Sequence, residues 1–260
     1  MPYQTINGAQ IYYQVYGGRK DSAAPILLVH GSTNTADSEW SQVIPALAEQ
    51  YFVVAPDCRG HGKSSNPNHS YSFSEMASDL AALVHALGFE RAHVIGHSNG
   101  GNTALVYLME HADATQTAIL QAANAHVTPE MVEREQRVFT PEWVEANDPE
   151  WMDEMITLHG PTHGLGYWRE LMRMTLKEIL AGPNYAPEDL AQVRRPVLVI
   201  QGAQDPVNAP GRHGEYIAEN IPGSELWVPA SVKHNVHKDL RGEWIARVLD
   251  FLRRRGKESS

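Results

Sequence analysis

Six residues, Gly96-His97-Ser98-Asn99-Gly100-Gly101, constrain this chain more than any other stretch. They lie between a short apolar run, Ala92 to Ile95, and a helical pattern that starts near Asn99. A strand that turns into a helix within one residue forces strained backbone angles on that residue, and glycines two positions to either side remove the side chains that would collide. Ser98 is left at the tip, above the end of a sheet and at the positive end of a helix. The G-x-S-x-G spacing is that of a nucleophile elbow, although a serine in a glycine-rich turn needs no catalytic role. A nucleophilic reading requires a histidine, an acid and oxyanion donors where such a serine uses them.

The chain on either side reads as alternating strands and helices. Tyr3 to Ile6 and Ala9 to Tyr16 flank Asn7-Gly8, a pair suited to a tight hairpin. Pro25 to Val29 is a short apolar strand ending in His30-Gly31-Ser32, followed by one helical pattern carrying Trp40, Val43, Ile44 and Leu47. Tyr51 to Ala55 is the next strand and runs into Asp57-Cys58-Arg59-Gly60-His61-Gly62-Lys63-Ser64. A helix with Met76, Leu80, Leu83, Val84 and Leu87 on one face leads to the elbow, and Thr117 to Gln121 follows as a strand. Such alternation implies right-handed crossovers and a mainly parallel sheet covered on both faces. Sites then gather beyond the carboxyl ends of the strands, which puts His30, Asp57, Ser98 and Asn124 on one rim.

From residue 125 to 190 the alternation stops. The stretch is helical, aromatic, and divided by prolines at 129, 141, 149, 161, 183 and 187. It reads as an inserted helical cap between two core segments, 1–124 and 191–260. Trp143, Trp151, Tyr167 and Trp168 are its candidate substrate-binding residues. Thirteen acidic residues against five basic ones place eight of the chain's ten net negative charges there. That field disfavours anionic substrates, although an ordinary solvated helical face carries the same charge. The strand grammar resumes at Pro196 to Gln201, with Asp205 just past its end. A last strand, Glu225 to Pro229, precedes His234 and an amphipathic helix with Leu240, Trp244, Ile245, Val248, Leu249 and Leu252. The order along the chain is Ser, Asp, His.

Composition bounds the partners. With 260 residues, 42% of them hydrophobic, the chain can bury one large core. A net charge of -10 argues against nucleic acid, and the one basic cluster, Arg253, Arg254, Arg255 and Lys257, is expected to cap the last helix. A single cysteine, Cys58, leaves no disulfide framework and reads as packing. No signal-peptide pattern or spanning apolar run is present, so a cytoplasmic location is expected, with no membrane partner. The expected partner is a small-molecule substrate, and the expected state a monomer or homodimer.

With His30-Gly31, the Asp57-x-Arg59-Gly60-His61-Gly62-x-Ser64 segment, the elbow, Gly202-x-x-Asp205 and His234 in this order, the chain resembles the α/β-hydrolase superfamily over essentially its whole length. The resemblance implies an α/β-hydrolase fold: an eight-stranded, mainly parallel sheet with strand two antiparallel, helices on both faces, and a helical cap after strand six. It also implies a triad of Ser98, His234 and Asp205. No cofactor is expected. It does not fix the substrate.

The chemistry asks for the same residues. A serine hydroxyl needs a base to take its proton as it attacks a carbonyl, and His234 is the candidate. Asp205 would hold the imidazole in its tautomer. Backbone N–H groups of Ser32 and Asn99 are candidate oxyanion donors, each worth about 3 to 4 kcal/mol. His237 competes for the base but is expected to open the last helix and point away, and Asp57 and His61 read as loop-bracing. His159 and His163 hint at a metal pair, but Gly160-Pro161 between them is expected to break the helix that would align them, so no metal site is expected. Serine at the elbow tip excludes the alkyl-ester route of dehalogenases and epoxide hydrolases in this superfamily. Esters come first, then lactones. Carbon–carbon bond hydrolysis of diketones, cofactor-free perhydrolysis and a ligand receptor with little turnover stay open as alternatives.

Overall fold

The computed structural model describes residues 2–19, 23–208 and 213–256. Eight strands, β1 (Tyr3–Ile6), β2 (Ala9–Tyr16), β3 (Ile26–Val29), β4 (Val53–Pro56), β5 (Ala92–His97), β6 (Thr115–Gln121), β7 (Val197–Ile200) and β8 (Glu225–Trp227), form one sheet in the order β1-β2-β4-β3-β5-β6-β7-β8. β2 runs antiparallel to both β1 and β4, and all other pairs are parallel. The β1–β2 hairpin turns on Asn7 and Gly8, at φ 45° and 82°, as the dipeptide predicts.

Strands β3 to β7 are buried residue by residue, because helices cover both faces. The period-2 alternation of each strand divides its side chains between two cores. Leu27, Val29, Val94, Leu120 and Val199 face helices α3 (Phe73–Ala86) and α4 (Asn99–Glu110). Ile26, Leu28, Ile95, Ile119 and Ile200 face α1 (Ala36–Trp40) and α2 (Ile44–Ala48), together with the carboxyl-terminal helix described below. The sequence pattern reads α1 and α2 as one helix; the structure corrects this. Pro45 lies in the first turn of α2, and having no N–H to donate to the turn before it, restarts the helix instead of continuing it.

Between β6 and β7 run α5 (Pro129–Val138), α6 (Pro141–Asn147), α7 (Pro149–His163), α8 (Tyr167–Ala181) and α9 (Pro187–Leu190). Three of these open alike. Thr128, Thr140 and Asp148 each cap with a side-chain oxygen that accepts an N–H three residues on, and a proline follows at once. Pro161 does not behave as the sequence suggests: α7 runs through Gly160-Pro161 to His163. The lost bond falls in the last turn, where the helix is ending anyway. Phe139, Val144, Met155, Trp168 and Met172 make a separate small core among these helices.

The chain closes with α10 (Gly214–Asn220), α11 (Val236–Asp239) and α12 (Arg241–Arg255), whose Trp244, Val248, Phe251 and Leu252 are buried. The terminal arginines do more than complement the helix end. Arg254 pairs with Asp250 and with Glu225 of β8, Arg253 with Asp250, and Arg255 with Glu225. Lys257 lies outside the described residues. No helix among the described residues is long and apolar enough to cross a membrane.

Candidate active site

β5 ends at His97 and α4 begins at Asn99, which leaves Ser98 between them at φ 56° and ψ -124°. A non-glycine residue in such a region costs on the order of 1–3 kcal/mol and persists only where its surroundings impose it. Here the Ser98 N–H donates to the Gln121 carbonyl at 2.9 Å, and the Ser98 carbonyl accepts from Asn102 at 3.0 Å. A Cβ at Gly100 would overlap the carbonyl oxygens of Val29 and His30, and one at Gly96 would overlap the Gly100 carbonyl. The glycines therefore allow the helix to pack directly on β3 and β5.

Asp205 follows β7 in a turn that surrounds its carboxylate with donors. Oδ1 accepts the N–H groups of Val207 and Asn208 at 2.8 and 3.0 Å, and Oδ2 accepts Gln201 Nε2 at 2.9 Å and His234 Nδ1 at 2.8 Å. Burial alone would raise the carboxyl's pKa; the His234 hydrogen bond and charge, with the two backbone donors, outweigh it and hold the group below its ordinary value. Because an ionised carboxylate only accepts, Nδ1 of His234 carries the hydrogen and Nε2 keeps its lone pair. Burial is the largest influence on His234 and shifts its pKa downward, against the pull of Asp205. Gly202 lets the histidine loop come close, since a Cβ there would overlap the carbonyls of Val232 and Lys233.

His234, Ser98, Ser32 and Asn99 line one cavity of ≈ 180 Å³, together with Asn124, Met131, Arg134, Glu135, Phe139, Trp151, Ile179, Val207 and Asn208. Among the described residues, the backbone N–H groups of Ser32 and Asn99 are not bonded to another protein acceptor. The Ser32 loop is set from below: His30 Nε2 accepts from the Cys58 N–H at 2.9 Å, and its Nδ1 donates to the Gly31 carbonyl at 2.8 Å. Asp57 braces the neighbouring loops through the N–H groups of Ala36 and Lys63, both at 3.0 Å. Cys58 is buried, which pushes its thiol pKa up and keeps it inert.

Of the four candidate substrate-binding aromatics, the cavity takes Trp151 alone. Trp168 is fully buried in the cap core, Trp143 packs against that core, and Tyr167 donates to the Gly60 carbonyl at 3.0 Å. Aromatic side chains this large help give α6, α7 and α8 a core of their own. The sequence reading missed the pair of Arg134 and Glu135, which contact each other at the cavity wall. Burial raises the Glu135 carboxyl's pKa, against Arg134 and His234. His159 is not half of a metal pair. Its Nδ1 accepts the Gly62 N–H and its Nε2 donates to the Thr33 carbonyl, both at 2.9 Å. With the Trp151 Nε1 bond to Thr33 Oγ1 at 3.1 Å, it ties the cap to the loop that carries Ser32. His237 lies inside α11 and is buried, with its ring nitrogens against Gln121 and Glu39.

The family model for the alpha/beta hydrolase fold matches residues 24–184, more than half of the chain. The chain belongs to the α/β-hydrolase family. As an α/β-hydrolase it is 28% identical to human serine hydrolase BPHL over 258 residues, covering 95% of this chain and 84% of that protein. It is 30% identical to 3-oxoadipate enol-lactonase 2 of Acinetobacter baylyi over 242 residues, 86% of each. Among solved structures it superposes on the enol-lactonase of Burkholderia xenovorans LB400 with a TM-score of 0.79 at 24% identity, covering 96% of this chain and 99% of that one. At that identity the superposition speaks for the α/β-hydrolase fold alone.

Proposed function

We propose that this α/β-hydrolase is a serine hydrolase that cleaves small, neutral, fairly apolar carboxylic esters, with lactones as a related class, through an acyl-enzyme on Ser98. The observation that carries the reading is the 2.8 Å contact of His234 with Asp205 beside a serine held in a forced conformation over the same cavity. Nε2 of His234 takes the Ser98 proton as Oγ attacks the carbonyl, and Asp205 stabilises the imidazolium that forms. The oxyanion is received by the N–H groups of Ser32 and Asn99. His234 returns the proton to the departing alkoxide, and water then releases the acid by the same steps. Met131, Phe139, Trp151 and Ile179 give the cavity apolar walls, and Arg134 and Glu135 neutralise each other. Similarity to a 3-oxoadipate enol-lactonase supports including lactones.

A panel of aryl esters of increasing acyl length, with a lactone and a vinylogous diketone, tests the proposal. Multiple turnovers on short esters or the lactone are expected. Turnover of the diketone alone would replace ester cleavage with carbon–carbon hydrolysis. Ligand-induced thermal stabilisation without turnover on any of them would make the protein a receptor.

A further inference from the structure

Beneath the elbow, three side chains from distant parts of the chain converge where the acyl-transfer steps have no use for them. Glu39 of α1, His97 at the end of β5 and His237 of α11 are all buried. Oε1 of Glu39 lies 3.2 Å from Nδ1 of His97, 2.9 Å from Nε2 of His237 and 3.3 Å from Nζ of Lys238. Its Oε2 accepts the Gly31 N–H at 3.2 Å and Asn34 Nδ2 at 2.7 Å. Burial opposes ionisation of this carboxyl, yet the two imidazoles outweigh it and hold its pKa well below the ordinary value.

The hydrogen-bond chain decides which imidazole carries the positive charge. An indole N–H can only donate, and Trp244 Nε1 donates to Gln121 Oε1 at 2.7 Å. The Gln121 amide is thereby oriented with Nε2 donating to His237 Nδ1 at 2.8 Å. His237 is neutral, with its one hydrogen on Nε2. His97 is placed differently. Its Nε2 lies 3.2 Å from the backbone carbonyl of His234 and its Nδ1 faces the Glu39 carboxylate. Both are acceptors, so a neutral ring would set a lone pair against one of them and a doubly protonated ring against neither, although the Nδ1–Oε1 approach is an ion-pair distance without hydrogen-bond alignment.

We propose that Glu39 and His97 form a buried carboxylate–imidazolium pair that positions His234 and sets the pH range in which it acts as a base. The inference rests on His234 being the base. His97 acts through it by two routes: the contact with its backbone carbonyl, and a ring centroid 4.7 Å from that of His234, which puts a positive charge where it opposes protonation of the base. Glu39 acts in the opposite sense from behind His97, as do Asp205 on Nδ1 of His234 and Glu135 of the cap, while Lys238 offsets part of the Glu39 charge and Arg134 that of Glu135. The three ligand-type atoms lie within 4.8 Å of one another, but a metal ion would need Nε2 of His237 bare, and the Trp244–Gln121 chain places a hydrogen there.

His97→Gln tests the charge, because its amide can still donate to the His234 carbonyl. Removing the cation while Glu39 stays ionised should raise the acidic-limb pKa of kcat/KM by about one unit. In Glu39→Gln/His97→Gln the limb should return to the wild-type position. An unmoved limb in His97→Gln, or the same upward shift in Glu39→Gln alone, would overturn the proposal. Imidazole ¹⁵N spectra of the wild-type protein decide the matter without activity, and so separately from the substrate reading. His97 should show hydrogens on both ring nitrogens, and a ring with one bare nitrogen would overturn the pair. Stoichiometric metal in the purified protein, lost on Glu39→Gln, would overturn it too.

Discussion

Four donors converge on the Asp205 carboxylate, and this makes Asp205→Asn an informative change. The amide has one oxygen, and the two backbone N–H groups of Val207 and Asn208 on Oδ1 cannot rotate away. That oxygen must stay with them, so the amide NH₂ turns toward His234 Nδ1. Nδ1 then becomes an acceptor, the imidazole hydrogen moves to Nε2, and the lone pair that would take the Ser98 proton is gone. Loss of the correct tautomer in the serine protease triad lowers kcat about 10⁴-fold, which is about 5.5 kcal/mol of transition-state stabilisation. A fall of 10³- to 10⁴-fold in kcat, with KM little changed, is therefore expected for Asp205→Asn on a short-chain aryl ester at pH 8. The Gln201 amide also meets a donor, so the melting temperature should drop modestly. A kcat within about tenfold of wild type would refute the tautomer argument.

Two further outcomes follow from the packing. Burial pushes the pKa of His93 and His159 down to about 4, so between that value and the unfolded pKa of about 6.5 the unfolded chain binds more protons and stability falls as pH falls. At pH 5 the two together should cost about 4 kcal/mol, roughly 10 °C in melting temperature relative to pH 7, and a melting temperature that is flat or rises on acidification would contradict this. Gly100→Ala drives a Cβ into the Val29 and His30 carbonyls. It should destabilise the protein by about 3 kcal/mol in urea unfolding, and an unchanged midpoint would show that the α4–β3 approach can relax.

Much of the fold was legible because its signals are local. Short apolar runs such as Ile26–Val29 and Val197–Ile200, too short for helices and alternating with helical patterns, read as strands buried on both faces, and Asn7-Gly8 and the elbow glycines name their turns. The order of Ser98, Asp205 and His234 likewise depends on where each follows a strand. Pairings across the chain were not legible. Nothing near Glu39 in sequence announces His97 and His237, which meet it only because α1 and α11 pack at the same end of the sheet. The cap was harder still, since its aromatics serve an internal core as readily as a cavity wall: Trp143 and Trp168 took the first role, and Tyr167 bonds the Gly60 carbonyl instead. One signal there went unused: the Thr-Pro-Glu, Thr-Pro-Glu and Asp-Pro-Glu starts at 128, 140 and 148 mark three helix N-termini by their caps.

The central claim is that acyl transfer passes through Ser98. Intact-protein mass spectrometry of samples quenched during turnover of a slowly deacylating aryl ester tests it most directly. The account predicts one acyl group on Ser98 in the wild-type protein and neither adduct nor turnover in a folded Ser98→Ala variant. Hydrolysis by Ser98→Ala at the wild-type rate, or an acyl group carried on another residue, would contradict it.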